Sequence, residues 1–363
     1  MLTKEFDYPL PAELIAQAPA DRRDDSRLMI VERDTQQITH AHFRDIGDFL
    51  PKSARIFRNN ACVFRARLPA KRSTGGAVEC LLLHPGKNEW EFWCLLRPGR
   101  RLQEGAVFGI DGIFSAEVIE KRADGENRVR FTPLKGQQSV TEIAEMAGNL
   151  PLPPYIEQAR QESADHRDWQ KLDQERYQTV YADRDQKVAA AAPTAGLHFT
   201  PELVQKIADQ GAQFHDVTLH VGLDTFRPIS VEKIEDHLIH REFYEISLES
   251  RKALLDKASG PRIAVGTTSL RALEDYASKM QGYSEGTPFS AEADIFIYPP
   301  NQFHLVDGLI TNFHLPKSTL LCLVSAFLTP GSMEGIKWLK DLYSQAIHHR
   351  YRFYSYGDAM LIL

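Results

Sequence analysis

Four stretches of the chain gather Gly, Thr, Ser, Asn, His and Lys directly after apolar runs: Pro193-Thr-Ala-Gly-Leu-His-Phe199, Thr218-Leu-His-Val-Gly222, Gly266-Thr-Thr-Ser269 and Asn312-Phe-His-Leu-Pro-Lys-Ser318. Small residues that open a helix expose backbone N–H groups at the positive end of its dipole, a place suited to a carboxylate or phosphate. Thr194 and Gly196, then Gly266, Thr267, Thr268 and Ser269, then Asn312, His314 and Lys317 are the candidate ligand-binding residues. His198 and His220 are the candidate proton carriers, because imidazole titrates near neutrality.

Each of these has a structural alternative. His198 follows Gly196 in a loop, where packing against Phe199 competes with proton transfer. Residues 214–221 alternate, with Val217, Leu219 and Val221 on one face and Asp216, Thr218 and His220 on the other, so His220 is either a structural or a functional residue on the polar side. Arg271 is placed equally well to bind an anion or to pair with Glu274 or Asp275 on its own helix. If neither histidine moves a proton, Asp216, Asp224 and Glu242 are the carboxylates to consider. His237 and His240 lie three apart with no third ligand at a diagnostic spacing, and no metal is expected.

Basic residues cluster at Arg65, Arg67, Lys71 and Arg72, at Arg97, Arg100 and Arg101, and at Arg350 and Arg352 among Tyr351, Phe353, Tyr354 and Tyr356. Positive charge interleaved with aromatic rings suits phosphate contact and base stacking in RNA. The 363 residues carry a formal net charge of −6, so any polyanion must meet a local basic face.

The elements that position these residues fall into two textures. From about Arg55 to Leu134 short alternating segments are separated by Thr-Gly-Gly, Pro-Gly and Asp-Gly turns, which predicts an antiparallel β module, a small barrel. From Thr200 onward apolar strands alternate with amphipathic helices in the α/β manner. The patterns predict helices over 201–210, 270–280 and 319–328, and strands over 262–265 and 308–312. The expected fold is a layered α/β main domain, residues 1–58 and 149–363, interrupted by an inserted antiparallel β-barrel domain, residues 59–148. Glu157–Gln174 is so polar that a surface excursion is expected. Cys62, Cys80, Cys94 and Cys322 are widely spaced and read as reduced core thiols. No signal peptide and no membrane span are evident, and a cytoplasmic location is expected.

With these residues in view, the chain closely resembles the S-adenosylmethionine:tRNA ribosyltransferase-isomerases of queuosine biosynthesis. The likeness runs nearly end to end and includes Phe6-Asp-Tyr-Pro-Leu-Pro11, Pro151-Leu-Pro-Pro-Tyr155, Glu175-Arg-Tyr-Gln-Thr-Val-Tyr181, Ala192–Thr200, Thr311–Leu320 and Arg350–Met360. The resemblance implies transfer and isomerisation of the ribosyl part of S-adenosylmethionine onto 7-aminomethyl-7-deazaguanine at the wobble position of tRNA, with release of adenine and methionine. It implies S-adenosylmethionine as cosubstrate and no prosthetic group; the chain is expected to act as a monomer. Arg65, Arg67, Arg100, Arg101, Arg350 and Arg352 are the candidate tRNA contacts. The chain departs from the family pattern at Ala61-Cys62, where a hydroxyl and a positive charge are usual. It departs also at Arg58 and Arg65, at Asp224 and at Pro300-Asn301. The alternative reading is a tRNA-binding paralogue with lost or altered catalysis; a third is an enzyme acting on a free nucleoside.

Overall fold

The alternating segment and the α/β segment form separate sheets in the computed structural model, which describes residues 1–122, 125–161, 168–189, 191–222, 228–280 and 286–363. The chain starts with β1 (Arg27–Val31), β2 (Ile38–His42), β3 (Arg55–Asn59) and the short β4 (Cys62–Val63). Six strands then follow in quick succession: β5 (Arg67–Arg72), β6 (Ala77–Pro85), β7 (Glu91–Arg97), β8 (Val107–Ile110), β9 (Phe114–Lys121) and β10 (Glu126–Pro133). They close into an antiparallel barrel in the order β10-β7-β6-β5-β8-β9. Alternation sends Leu68 and Ala70, Phe114, Ala116 and Val118, and Val129 and Phe131 inward. Helix α1 (Val140–Ala147), capped by Ser139, adds Val140, Ile143 and Ala144 to the same core.

Helices α2 (Pro154–Gln161) and α3 (Trp169–Arg176) come next, then β11 (Lys187–Ala189), which pairs in parallel with β4. The polar stretch Glu157–Gln174 is helical at its described ends rather than irregular, and Asp168, Gln170, Lys171 and Gln174 are exposed as expected of a surface excursion; residues 162–167 lie outside the described residues. Ile156 is fully buried, and the charges are satisfied internally: Arg160 clasps Asp173 at 2.6 and 2.8 Å, and Tyr356 donates to the same carboxylate at 2.7 Å.

The second half contributes α4 (Pro201–Asp209), β12 (Gln213–Leu219), β13 (Glu242–Ile246), α5 (Leu248–Leu255), β14 (Arg262–Val265) and α6 (Thr267–Lys279). It ends with β15 (Phe289–Ala293), β16 (Gly308–Asn312), α7 (Thr319–Leu328), α8 (Gly335–His348) and β17 (Ala359–Ile362). A nine-stranded mixed sheet runs β15-β13-β12-β3-β14-β16-β17-β1-β2. Its centre, β12, β3, β14 and β16, is parallel, so four carboxyl ends lie along one edge. One face is covered by α5, α6, α7 and α8 around Leu254, Leu273, Phe327 and Leu342. The other is covered by α4 and the turn at Phe43–Asp48, around Leu203, Ile207, Phe43 and Phe199. The fold is therefore the layered α/β sheet with a barrel that the texture predicts. All four cysteines are free and buried, and among the described residues no helix is long and apolar enough to cross a membrane.

Candidate active site

A cleft enclosing about 570 Å³, its open mouth included, lies beyond the carboxyl ends of β12, β14 and β16. Parallel α/β sheets bind ligands at this edge because the helices that follow the strands point their N-termini into it. Its walls are Pro193, Thr194 and Ala195, then Gly266, Thr267 and Thr268, then Thr311 to Leu315; Tyr155, Tyr354 and Ser355 complete the lining. The first intrahelical bond of α6 runs from Leu270 N–H to Gly266 C=O, so the N–H groups of Thr267, Thr268 and Ser269 precede the ladder. Gly266 has φ +95°, a conformation strained for any residue with a Cβ. Helix α6 starts three residues earlier than expected, because Thr267-Thr268-Ser269 is its first turn rather than a separate loop.

The expected site residues are spread between cleft and core. Thr194, Gly266, Thr267, Thr268, Asn312 and His314 line the cleft. Gly196 lies behind it: a Cβ there would sit 2.0 Å from the Tyr181 hydroxyl. Ser269 is fully buried, its Oγ without a hydrogen-bond partner. Lys317 is outside the walls, paired with Asp7 at 2.8 Å.

His198 is likewise not a wall residue. Its Nδ1 lies 2.7 Å from Ser26 Oγ and its Nε2 3.0 Å from Asn312 Nδ2, while Asn312 Oδ1 accepts from the Thr194 hydroxyl at 2.9 Å. Burial, reinforced by Arg352 and Arg23, pushes its pKa down to about 3, so the ring is neutral at physiological pH. His220 stands at the end of β12 with its ring edge-on to Phe243, and burial with nearby His84 of the barrel holds it down at about 4. His314 does face the cleft; burial brings it to about 3, and its Nε2 is 2.8 Å from Thr311 Oγ1.

A second recess, about 310 Å³, shares Thr267, Thr268 and Leu320 with the cleft. It contains a buried ion pair that the sequence left open. Arg271 pairs with Glu242 at 3.1 Å, and also donates to the carbonyls of His240, Ala293 and Ile295 at 2.6–2.9 Å. Glu274 and Asp275, its possible partners on α6, are used elsewhere: Glu274 accepts from the N–H groups of His304, Leu305 and Val306, and Asp275 from Tyr244 and Lys279. His240 Nε2 lies 3.3 Å from Glu242. Among the described residues no His, Cys, Asp and Glu side chains are grouped to hold a metal.

The family model described as "Queuosine biosynthesis protein" matches residues 3–362. The chain belongs to this family. Curated relatives named S-adenosylmethionine:tRNA ribosyltransferase-isomerase, from Thermotoga petrophila and Pelobacter propionicus, are 45% and 43% identical to it, each alignment covering 100% of both chains. The crystal structure of S-adenosylmethionine tRNA ribosyltransferase from Thermotoga maritima matches with a TM-score of 0.53 and 36% identity, covering 99% of this chain and 100% of that one.

Within this queuosine biosynthesis family member the basic residues divide by use. Arg100 and Arg101 are exposed on a single turn of the barrel, and Arg350 is exposed after α8. Arg67 is engaged by Glu157 and the Leu152 carbonyl, Arg352 by Asp358, and half-buried Arg65 reaches the Glu145 carbonyl. The aromatics expected to stack with RNA beside Arg350 are corrected: Tyr351, Phe353 and Tyr356 are core residues, and Tyr354 is a cleft wall. Of the departures, Arg58 pairs with Asp216 at 2.7 Å and stacks over Tyr181, and the Gln178 amide donates to Cys62 Sγ. Asp224 lies outside the described residues. Tyr155, Thr311 and Ser355 are cleft residues that lie in runs carrying the family resemblance but are not among the expected site residues, since their side chains alone suggest no chemistry.

Proposed function

We propose that this chain transfers and isomerises the ribosyl moiety of S-adenosylmethionine onto 7-aminomethyl-7-deazaguanine at the tRNA wobble position, giving epoxyqueuosine-tRNA with release of adenine and methionine. Full-length membership of the family carries the reading. The cleft supports it, because its described walls are neutral hydroxyl, amide, imidazole and aromatic groups and contain no Lys or Arg. A sulfonium cation is disfavoured beside another cation and tolerated beside neutral hydroxyl, amide and aromatic groups.

In this reading the N–H groups of Thr267 and Thr268 hold the methionine carboxylate, where the α6 dipole adds about 0.3–1 kcal/mol. Thr194, Asn312 and His314 line the path of the adenosyl group. The positive sulfur acidifies the adjacent ribose carbon and makes methionine a neutral leaving group, so a proton acceptor and a donor to adenine are the chemistry required. His314, a cleft wall, and His220, which stands outside the described walls beside Val221, are both neutral at physiological pH and are the candidate acceptors, and His198 acts from behind the wall. The barrel, residues 59–148, presents Arg100 and Arg101 to the tRNA backbone, and the α/β unit, residues 1–58 with 149–363, holds the cosubstrate. The setting is a cytoplasmic monomer.

Incubation with S-adenosylmethionine and precursor-bearing tRNA, followed by nucleoside mass spectrometry, tests the reading. Adenine and methionine should appear only with that tRNA. Binding of tRNA without adenine release supports the non-catalytic paralogue instead, and equal turnover of the free base supports the nucleoside enzyme.

A further inference from the structure

The hydrogen bonds behind the cleft have a direction that two carbonyl groups impose. At one end Ser26 Oγ lies 3.2 Å from the Arg23 carbonyl, which only accepts, so the serine proton points to it. Ser26 Oγ is then the acceptor for His198, which must carry its proton on Nδ1. At the other end Asn312 Nδ2 lies 3.5 Å from the Asp358 carbonyl, a long contact that still excludes the amide oxygen from that position, since two oxygens would repel. The amide NH₂ therefore faces His198 Nε2, which offers its lone pair at 3.0 Å. The amide oxygen faces Thr194 and takes its hydroxyl proton at 2.9 Å. The ring is 4% exposed and neutral, so the pattern is not rewritten by protonation near neutral pH.

We propose that the chain of hydrogen bonds from Arg23 through Ser26, His198 and Asn312 to Thr194 sets the polarity of the cleft wall, so that Thr194 Oγ1 and Asn312 Oδ1 present acceptor lone pairs and select a hydrogen-bond donor on the bound cosubstrate. His198 is thus a positioning residue: it holds Asn312 with its oxygen outward and never touches the ligand. The assignment rests on the functional reading above for the identity of the cosubstrate. Three groups of S-adenosylmethionine donate hydrogen bonds: the ribose hydroxyls, the adenine exocyclic amine and the methionine ammonium. A wall that only accepts discriminates against analogues lacking the donor it faces, because the wall oxygens are then desolvated without a partner.

The test has two arms. In the first, calorimetry measures binding of S-adenosylhomocysteine to the parent and to Thr194→Val, Thr194→Ser, His198→Leu and His198→Gln, after thermal unfolding shows that each folds. Thr194→Val and His198→Leu should weaken binding about three- to tenfold, the range expected for one neutral hydrogen bond. Thr194→Ser, which keeps the hydroxyl, and His198→Gln, which keeps an acceptor near Nε2, should recover most of it. Repeating the Thr194→Val comparison with analogues lacking the ribose hydroxyls, the exocyclic amine or the α-amine identifies the donor, since the penalty disappears for the analogue that has lost it. A penalty that persists for all three analogues overturns the proposal. In the second arm, ¹⁵N–¹H spectra of histidine-labelled parent protein between about pH 5 and 8 should show His198 neutral with its proton on Nδ1; a proton on Nε2 overturns the wall polarity whatever binds. Failure of the parent to bind S-adenosylmethionine or S-adenosylhomocysteine at all counts against the functional reading, whereas the spectra decide the direction of the hydrogen bonds separately.

Discussion

Substituting Glu242 by Leu tests whether the ion pair behind the cleft organises the start of α6. Arg271 is 6% exposed and Glu242 2% exposed, so the leucine variant leaves a guanidinium in a dry site. Removing one partner of a buried pair destabilises by about 3–5 kcal/mol. The carbonyls of His240, Ala293 and Ile295 still accept from Arg271, which places the loss near the lower end, about 3 kcal/mol. An unfolding entropy of about 2.1 cal/mol/K per residue over this length converts that to a fall in Tm of about 4 °C. Calorimetry should show it. Adding Arg271→Met removes the stranded charge and should return most of the loss, because two apolar side chains of similar volume carry no desolvation penalty. A single variant within about 1 °C of the parent, or a double variant less stable than the single, refutes the view that the charge rather than the packing matters here. Arg271 lies four residues after Thr267, so the single variant should also weaken cosubstrate binding, and the double variant should not.

Three further outcomes are expected. Gly196→Ala should lose about 1–3 kcal/mol by overpacking, and much of it should return with Tyr181→Phe, because the nearest clash is with the Tyr181 hydroxyl. Stability should fall on acidification from about pH 6.5: His198 and His314 near 3 and His220 near 4 bind protons in the unfolded chain before the folded one, each giving about 1.4 kcal/mol per pH unit down to its native pKa. Urea unfolding of His198→Gln between about pH 6 and 4 should show a shallower slope than the parent, and an identical slope removes His198 from the account. Arg100→Ala with Arg101→Ala should weaken tRNA binding and flatten its dependence on salt, since both side chains are exposed on the barrel; an unchanged slope assigns them to ordinary solvated surface.

What could be read from the chain alone was what short range determines. β14 and β16 fall at 262–265 and 308–312 as expected, because each is a brief apolar run bounded by turn chemistry, and α4 follows the Thr200-Pro201 cap. Inside the barrel, β8 carries no pattern of its own: of its four residues only Phe108 is buried, too little for alternation to show. In the polar stretch that runs into α3 the helices and one buried contact were not legible, since Asp173 and Arg160 are charged residues that the fold buries as a pair. In the site, Gly266-Thr267-Thr268 and Asn312 were legible because they terminate strands. The partners of His198 were not, because Ser26 is 172 and Asn312 is 114 residues away. A histidine in a loop looks the same in sequence whether its two nitrogens are free or taken.

The walls of the cleft bear on how a cation is held, and one substitution makes the point measurable. A unit charge about 6 Å from the sulfonium repels it by about 3 kcal/mol at an effective dielectric near 20, roughly a hundredfold in affinity. The cationic Arg271 of the adjoining recess is held against Glu242, so its charge is compensated before it reaches the ligand. Thr268→Lys would place an uncompensated ammonium at the shared wall of cleft and recess. S-adenosylhomocysteine has the same carboxylate, ribose and adenine but a neutral sulfur, so attraction of the lysine to the carboxylate cancels in the ratio of the two dissociation constants. That ratio, S-adenosylmethionine over S-adenosylhomocysteine, should rise about 10- to 100-fold in Thr268→Lys, less than the full Coulomb figure because a lysine can swing its head toward water. Thr268→Gln, of comparable reach and no charge, should leave it within about twofold. An unchanged ratio in the lysine variant would mean that the sulfur lies far from α6, and the methionine carboxylate would then have to be sought at another wall of the cleft.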